Sequence, residues 1–208
     1  MGDKQSAQDN VTRRNLIAGL GAAAAGAAVV PQALAKPEHD SGQNEHDAWH
    51  GTVDAWIAKQ QIAELRRSYA LATDLIGLNT EDSVAQGRAV YRRIFTPDAR
   101  IGATGQEPTV GPDAWVKVAN DALKIYQDTQ HLIGTQVVDL TALPDADGQG
   151  GAATMTSYLQ AWHAKADGEL WLFIGTYYDK LSYTPEAGWQ IYDMMLQQVS
   201  GDTRQINN

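Results

Sequence analysis

From Thr52 to Leu78 the apolar residues Ile62, Leu65, Tyr69, Ala72 and Ile76 recur at steps of three and four, which predicts one long helix with a continuous apolar face. In its second half Leu71, Leu75 and Leu78 add another face, so this helix is expected to be covered nearly all round. Asp74 falls within that second face, where a carboxylate must be paired, hydrogen-bonded or used. Glu81 to Phe95 reads as a second helix, ended by the turn Thr96-Pro97-Asp98. Ala99 to Ala103 reads as a short strand, and Gly111-Pro112-Asp113 opens a third helix running to about Tyr126. After that the period changes to two. Strands are expected at about 129–140, 152–165, 169–182 and 188–199, joined by loops at Pro144–Gly151, Asp167-Gly168 and Thr184–Gly188. Three helices, one early strand and a four-strand antiparallel meander predict an α+β domain. Its strongly bent sheet wraps over the helices as a cone with one open end.

The ends of the chain follow a different logic. Thr12-Arg13-Arg14-Asn15-Leu16-Ile17, the Ala/Gly-rich stretch to Val30 and Ala33-Leu34-Ala35 have the order of a charged region, an apolar region and a cleavage box. The paired arginines favour the bacterial twin-arginine export machinery, so residues 1–35 are expected to be a signal peptide of a periplasmic or secreted protein. The apolar run is short and weakly hydrophobic for a membrane anchor. Residues 36–51 are polar and read as a flexible linker, leaving the domain at 52–200 and a tail at 201–208. His39, His46 and His50 lie in that linker at spacings that match no metal motif.

Charge and composition narrow the function. The formal net charge is −9, and about −10 without the signal, which disfavours nucleic acid and anionic membranes as partners. No cysteine is present, which excludes disulfides and thiolate nucleophiles. Nor is there a nucleophile elbow, a P-loop or a dinucleotide fingerprint, so no cofactor is expected.

The remaining chemistry sits on two strands and one helix. His131 and His163 belong to adjacent strands of one expected hairpin; His131 shares a face with Ile133 and Val137, and His163 with Leu159 and Met155. If both faces point inward, two imidazoles share one apolar pocket with Asp74 beside it. A buried carboxylate fixes the tautomer of one imidazole and raises its basicity, while the other exchanges a proton elsewhere on a substrate. Two histidines and an aspartate also suit iron or zinc, but nothing nearby adds a ligand at recognisable spacing. Aromatic residues crowd the meander, and about half of them should face outward. The others, with Tyr69, Phe95 and Trp115, would line a pouch for a flat apolar molecule.

Tyr69-Ala-Leu-Ala-Thr-Asp74, Phe95-Thr-Pro-Asp98-Ala, Trp115, Thr129-Gln-His131-Leu-Ile-Gly, Ser157-Tyr158 with His163, Gly175-Thr-Tyr177-Tyr-Asp179 and Gly188-Trp189 together resemble the SnoaL-like branch of the NTF2-like superfamily. The resemblance spans residues 52–200 and implies the cone fold. Within that superfamily the scytalone dehydratases carry the same Thr-Gln-His-Phe/Leu-Ile-Gly stretch. The resemblance to them implies that His131, His163 and Asp74 are catalytic. It departs at Thr73 and Ala103, where tyrosines would stand, and near Ile174 or Gly175, where an asparagine would.

The resulting expectation is a cofactor-independent lyase or isomerase, dehydratase-like or carbon–carbon-cleaving. Its substrate is a small apolar molecule, aromatic or phenolic, and lignin-derived by analogy with other lyases of the superfamily. His131 is its principal acid or base, Asp74 the orienting partner, and His163 a second proton donor or a substrate anchor. Tyr69, Phe95, Trp115, Tyr158 and Tyr177 are the expected substrate-binding residues. The rival expectation is a non-catalytic periplasmic binding module using the same pouch. A dioxygenase small-subunit analogue fits less well, because such complexes are cytoplasmic. An exposed aromatic sheet face implies a homodimer or homotrimer.

Overall fold

The computed structural model describes residues 41–206, with side chains from residue 51 onward. The export signal, His39 and the first part of the expected linker lie outside the described residues, as do the side chains of His46 and His50. The helices are α1 (Ser41–Gly77), α2 (Glu81–Ile94) and α3 (Pro112–Leu123). The strands are β1 (Phe95–Ala103), β2 (Thr109–Val110), β3 (Asp128–Ala142), β4 (Ala152–Ala164), β5 (Glu169–Thr184) and β6 (Gly188–Gln205). They form one six-stranded sheet in the order β2-β1-β6-β5-β4-β3. Every pairing is antiparallel except β1 with β6, which the intervening helices and meander connect in parallel. The helices pack on the concave face of this curved sheet, giving the α+β cone.

Several boundaries differ from the sequence expectation: β1 starts at Phe95, so Thr96-Pro97-Asp98, expected as a turn, lies in the strand, and α3 ends at Leu123 and not near Tyr126. Residues 41–51, expected as linker, are helical and continuous with α1. Polarity alone does not break a helix: most of these residues are only mildly poor helix formers, and no proline interrupts them. At the other end β6 runs through residues 201–205, expected as tail, with Glu169 paired to Gln205 and Trp171 to Thr203. The backbone ladder needs no apolar alternation, so the period-two signal fades before the strand does. β2 carries no sequence signal because two residues are too few to show a period.

The face of α1 carrying Ile62, Tyr69, Ala72 and Ile76 is buried as expected. The second face is not: Leu71 and Leu78 are exposed, so α1 is covered on one side only. Gly87 of α2 makes the α1–α2 crossing close, since a Cβ there would stand 2.5 Å from Ile76 Cγ1 and 2.8 Å from the Ala72 carbonyl oxygen. Thr80 caps α2 with Ser83 in a reciprocal capping box.

Along β3 the alternation slips. Gly134 pairs with Tyr158 and Val137 with Thr156, so Thr135 and Gln136 oppose Ser157 alone. Thr135 has a φ of 42°, an unusual conformation for a β-branched residue. The extra residue turns Val137 outward, against the expectation that it shares the face of His131, and Val138 and Leu140 pack against the core instead. Gln136 Nε2 donates to the Ala63 carbonyl at 2.9 Å, tying the bulge to α1.

Candidate active site

Asp74 lies on the last turns of α1, and His131 near the start of β3. Gly77 lets the two elements meet, because a Cβ at that position would stand 2.6 Å from Thr129 Oγ1. The Thr129 hydroxyl donates to Asp74 Oδ1 at 3.3 Å and the His131 backbone N–H to Oδ2 at 3.3 Å. The His131 ring closes the arrangement, with Nδ1 at 2.7 Å from Asp74 Oδ1. A carboxylate accepts only, so Nδ1 carries a proton, and in the neutral ring the free lone pair is then that of Nε2. The His131 side chain is 7% exposed and that of Asp74 24%.

His163 stands on β4, where its residue pairs with Thr129 and its neighbour Ala161 with His131. The two imidazole rings lie 5.4 Å apart, edge to face. Trp171 and Tyr126 pack against His163 at 5.0 and 4.9 Å. Its Nδ1 is buried with no partner among the described residues, so nothing is positioned to stabilise an added proton there. Burial, and secondarily the neighbouring His131, push its pKa down to about 4 despite the opposing pull of Asp74. His163 is therefore neutral at neutral pH.

Both rings open onto a cavity of about 250 Å³. Trp115, Leu123, Leu159, Trp171, Phe173 and Leu196 supply apolar wall; Thr104, Gln106 and Gln198 add polar groups. Among the described residues no lysine or arginine lines it. Tyr69, Trp115 and Tyr177, expected as substrate-binding, all reach the cavity. Phe95 does not: it is fully buried behind Tyr69, ring against ring at 5.9 Å. Tyr158 points the other way and is 57% exposed, because it alternates out of phase with Leu159 and Ala161 on β4. Among the described residues no group of three or more His, Asp and Glu side chains is placed to hold a metal ion.

Beneath the cavity lies a pair the sequence reading passed over. Arg66 of α1 and Asp179 of β5 are fully enclosed and form a two-pronged ion pair, with Arg66 Nε donating to Asp179 Oδ2 at 3.2 Å and NH2 donating to Oδ1. Burial alone would lower the Arg66 pKa, but Asp179, Tyr177 and Tyr69 outweigh it and the guanidinium stays charged. A signal was available: Arg66 interrupts the apolar stripe Ile62–Tyr69–Ile76, and Asp179 interrupts the inward series Tyr177–Leu181. Two opposite charges on inward positions of separate elements imply each other.

Thr73, where the resemblance departs, is not an empty place. Its Oγ1 donates to the Tyr69 carbonyl at 2.8 Å and lies 2.6 Å from the Tyr91 hydroxyl of α2, which thereby fills part of the space.

Comparison with known structures shows the same fold. A Novosphingobium aromaticivorans protein with the provisional name scytalone dehydratase is 15% identical, with a TM-score of 0.58 over 75% of this chain and 93% of its own. The hexachlorocyclohexane dehydrochlorinase LinA-type3 from Novosphingobium barchaimii is 12% identical, with a TM-score of 0.59 over 74% and 94%. The Kfla4162 protein from Kribbella flavida is 23% identical, with a TM-score of 0.56 over 71% and 95%. At these identities the likeness is one of fold. No curated protein matches the chain in sequence. The SnoaL-like domain model matches residues 57–194, from the middle of α1 into β6, and the chain belongs to that family.

Proposed function

We propose that this protein is a cofactor-independent lyase, with isomerisation as the second possibility, acting on a small and largely apolar aromatic molecule. The observation that carries the reading is the Asp74–His131 hydrogen bond of 2.7 Å in the wall of a mainly apolar cavity. Asp74 holds the Nδ1–H tautomer and stabilises the imidazolium once it forms. His131 Nε2 takes a proton from a substrate carbon, and the electron pair of that C–H bond becomes a new C=C bond as a leaving group departs. In an elimination the proton then passes from His131 to the departing group; in an isomerisation no group departs, the electron pair is held as the enolate of an adjacent carbonyl, and the proton is returned to another carbon. His163, neutral at neutral pH, serves as a hydrogen-bonding anchor and not as the proton donor.

The test uses aryl ketones in D₂O, with NMR following both elimination and exchange of the C–H next to the carbonyl. His131→Ala and Asp74→Asn are each expected to lower the rate by at least about a hundredfold, the usual contribution of a positioned acid or base. Full activity in either variant would sink the reading. Ligand binding with neither exchange nor elimination in the unaltered protein would instead support a binding module.

A further inference from the structure

Near the mouth of the cavity an irregularity in β6 brings two hydrogen-bond donors together. Gly175 pairs with Gln198 and Ile174 with Ser200, so Val199 is an extra residue in that strand. Phe173 pairs with Gly201 and Trp171 with Thr203. Opposed residues of paired strands project to the same face, and Trp171 and Phe173 line the cavity. Gln198 and Gly201 therefore both face inward, although residues three apart on a regular strand point to opposite faces. The end of β1 holds the irregular segment in place. The Gln198 backbone N–H donates to Thr104 Oγ1 at 3.1 Å, and the Thr104 hydroxyl donates to the Leu196 carbonyl at 3.3 Å.

Gly201 is the gap in this arrangement. Its φ lies outside the left-handed region, so glycine serves space here and not conformation. A Cβ at that position would stand 3.0 Å from the Leu172 carbonyl oxygen, 3.2 Å from Gln198 Nε2 and 3.5 Å from Trp171 Nε1. Both nitrogens thus border one notch. Among the described residues neither donates to a protein group, and neither is sealed from the cavity. The indole N–H can only donate, and the carboxamide NH₂ adds two more donors.

We infer that Trp171 Nε1 and Gln198 Nε2, meeting over Gly201, form a subsite for one uncharged oxygen acceptor, a carbonyl or ether oxygen, borne by the ligand's ring opposite the reacting carbon. The ring centres of His131, His163 and Trp171 step along one wall at 5.4 and 5.0 Å, from the enclosed base towards the exposed Gln198. One para-substituted benzene ring spans that wall. The volume agrees: a cavity of about 150 Å³ holds benzene, so about 250 Å³ leaves room for a substituent at each end. Donors without a cation favour a neutral oxygen over a carboxylate, and among the described residues no lysine or arginine lines the cavity. This deepens the proposed function by naming its substrate class, aryl compounds with an oxygen acceptor para to the reacting group, and it rests on that reading only for which carbon reacts.

The probes are 1,4-diacetylbenzene and 4-isopropenylacetophenone, which share a shape and one acetyl group and differ at the far end in C=O against C=CH₂. By calorimetry the unaltered protein is expected to prefer the diketone about ten-fold. With ¹⁵N-labelled tryptophan, the Trp171 indole N–H peak, identified by its loss in Trp171→Phe, should lie further downfield with the diketone than with the alkene. The Trp115 indole N–H, already bonded to Tyr69, should answer both probes alike. Gln198→Leu and Trp171→Phe should each bring the preference below about four-fold. Gln198 is exposed, so its variant gives a reading even if Trp171→Phe does not fold. A preference of about two-fold or less, which the symmetry of the diketone alone supplies, overturns the subsite, as does no saturable binding of either probe. A Trp171 peak that answers both probes alike means that Gln198 Oε1 already takes the indole proton, and this too overturns it. A preference unmoved by one replacement overturns the part assigned to that residue. In His131→Ala the preference should persist while exchange of the acetyl protons in D₂O is lost, so failure of the subsite and failure of the proton-transfer reading are separately visible.

Discussion

Replacing His163 by Phe should make the protein relatively more stable in acid, and the size of the effect follows from the environment of the ring. His163 is 4% exposed, and burial places its pKa at about 4 against an ordinary value of 6.5. The unfolded chain therefore takes up this proton first as pH falls. Stability from the neutral ring is complete above about pH 6.5, declines as pH drops towards 4, and is constant below. The full difference corresponds to about 3 kcal/mol at 1.36 kcal/mol per unit, of which about 2.5 kcal/mol is lost by pH 4.5. Phe fills the same aromatic niche between Tyr126 and Trp171 and has no proton to bind. Urea unfolding of both chains at pH 7 and at about pH 4.5 should show their stability gap moving by about 2.5 kcal/mol in favour of Phe. Asp113, Asp121 and Asp202, held low by their ion-pair partners, titrate alike in both chains and cancel. Parallel pH profiles, agreeing within about 0.5 kcal/mol, would refute the claim that His163 is buried neutral.

Other substitutions probe the fold and the cavity separately. Arg66→Met alone strands the Asp179 carboxylate and should cost about 3–5 kcal/mol by chemical denaturation, with much of this recovered when Asp179→Leu is added. Gly87→Ala forces its Cβ against Ile76 and the Ala72 carbonyl and should cost about 1–3 kcal/mol, read as a lower melting temperature. Thr80→Ala removes one side of the α2 capping box, and equilibrium unfolding should register a loss of about 1 kcal/mol. Tyr158→Ala, on the outer face, should leave acetophenone affinity unchanged, and a loss above about three-fold by calorimetry would contradict the outward placement.

Much of this architecture was legible in the sequence, for a definite reason. Helix and strand periods are local properties, so the buried stripe of α1, the extent of α2, Pro112 opening α3 and the four long strands could all be read from spacing. The pairing of His131 and His163 across one hairpin followed from alternation together with loop position, and the motif around Thr129–Gly134 pointed to Asp74, which bonds His131. Tertiary structure alone decided the rest. One inserted residue at Thr135–Gln136 exchanged Val137 for Val138 on the inner face, because a period of two reverses with a single step. Leu71 and Leu78 are apolar yet exposed, since a helix packed on one side cannot cover a second face. Whether an inward aromatic lines the cavity, like Tyr69 and Tyr177, or stands behind it, like Phe95, depends on depth along an axis that periodicity does not encode. The Arg66–Asp179 pair spans 113 residues of chain, and its meaning arises only where sheet curvature brings α1 and β5 together. Sequence determined which residues turn inward; packing determined which of them face one another, and that is where the chemistry of this site resides.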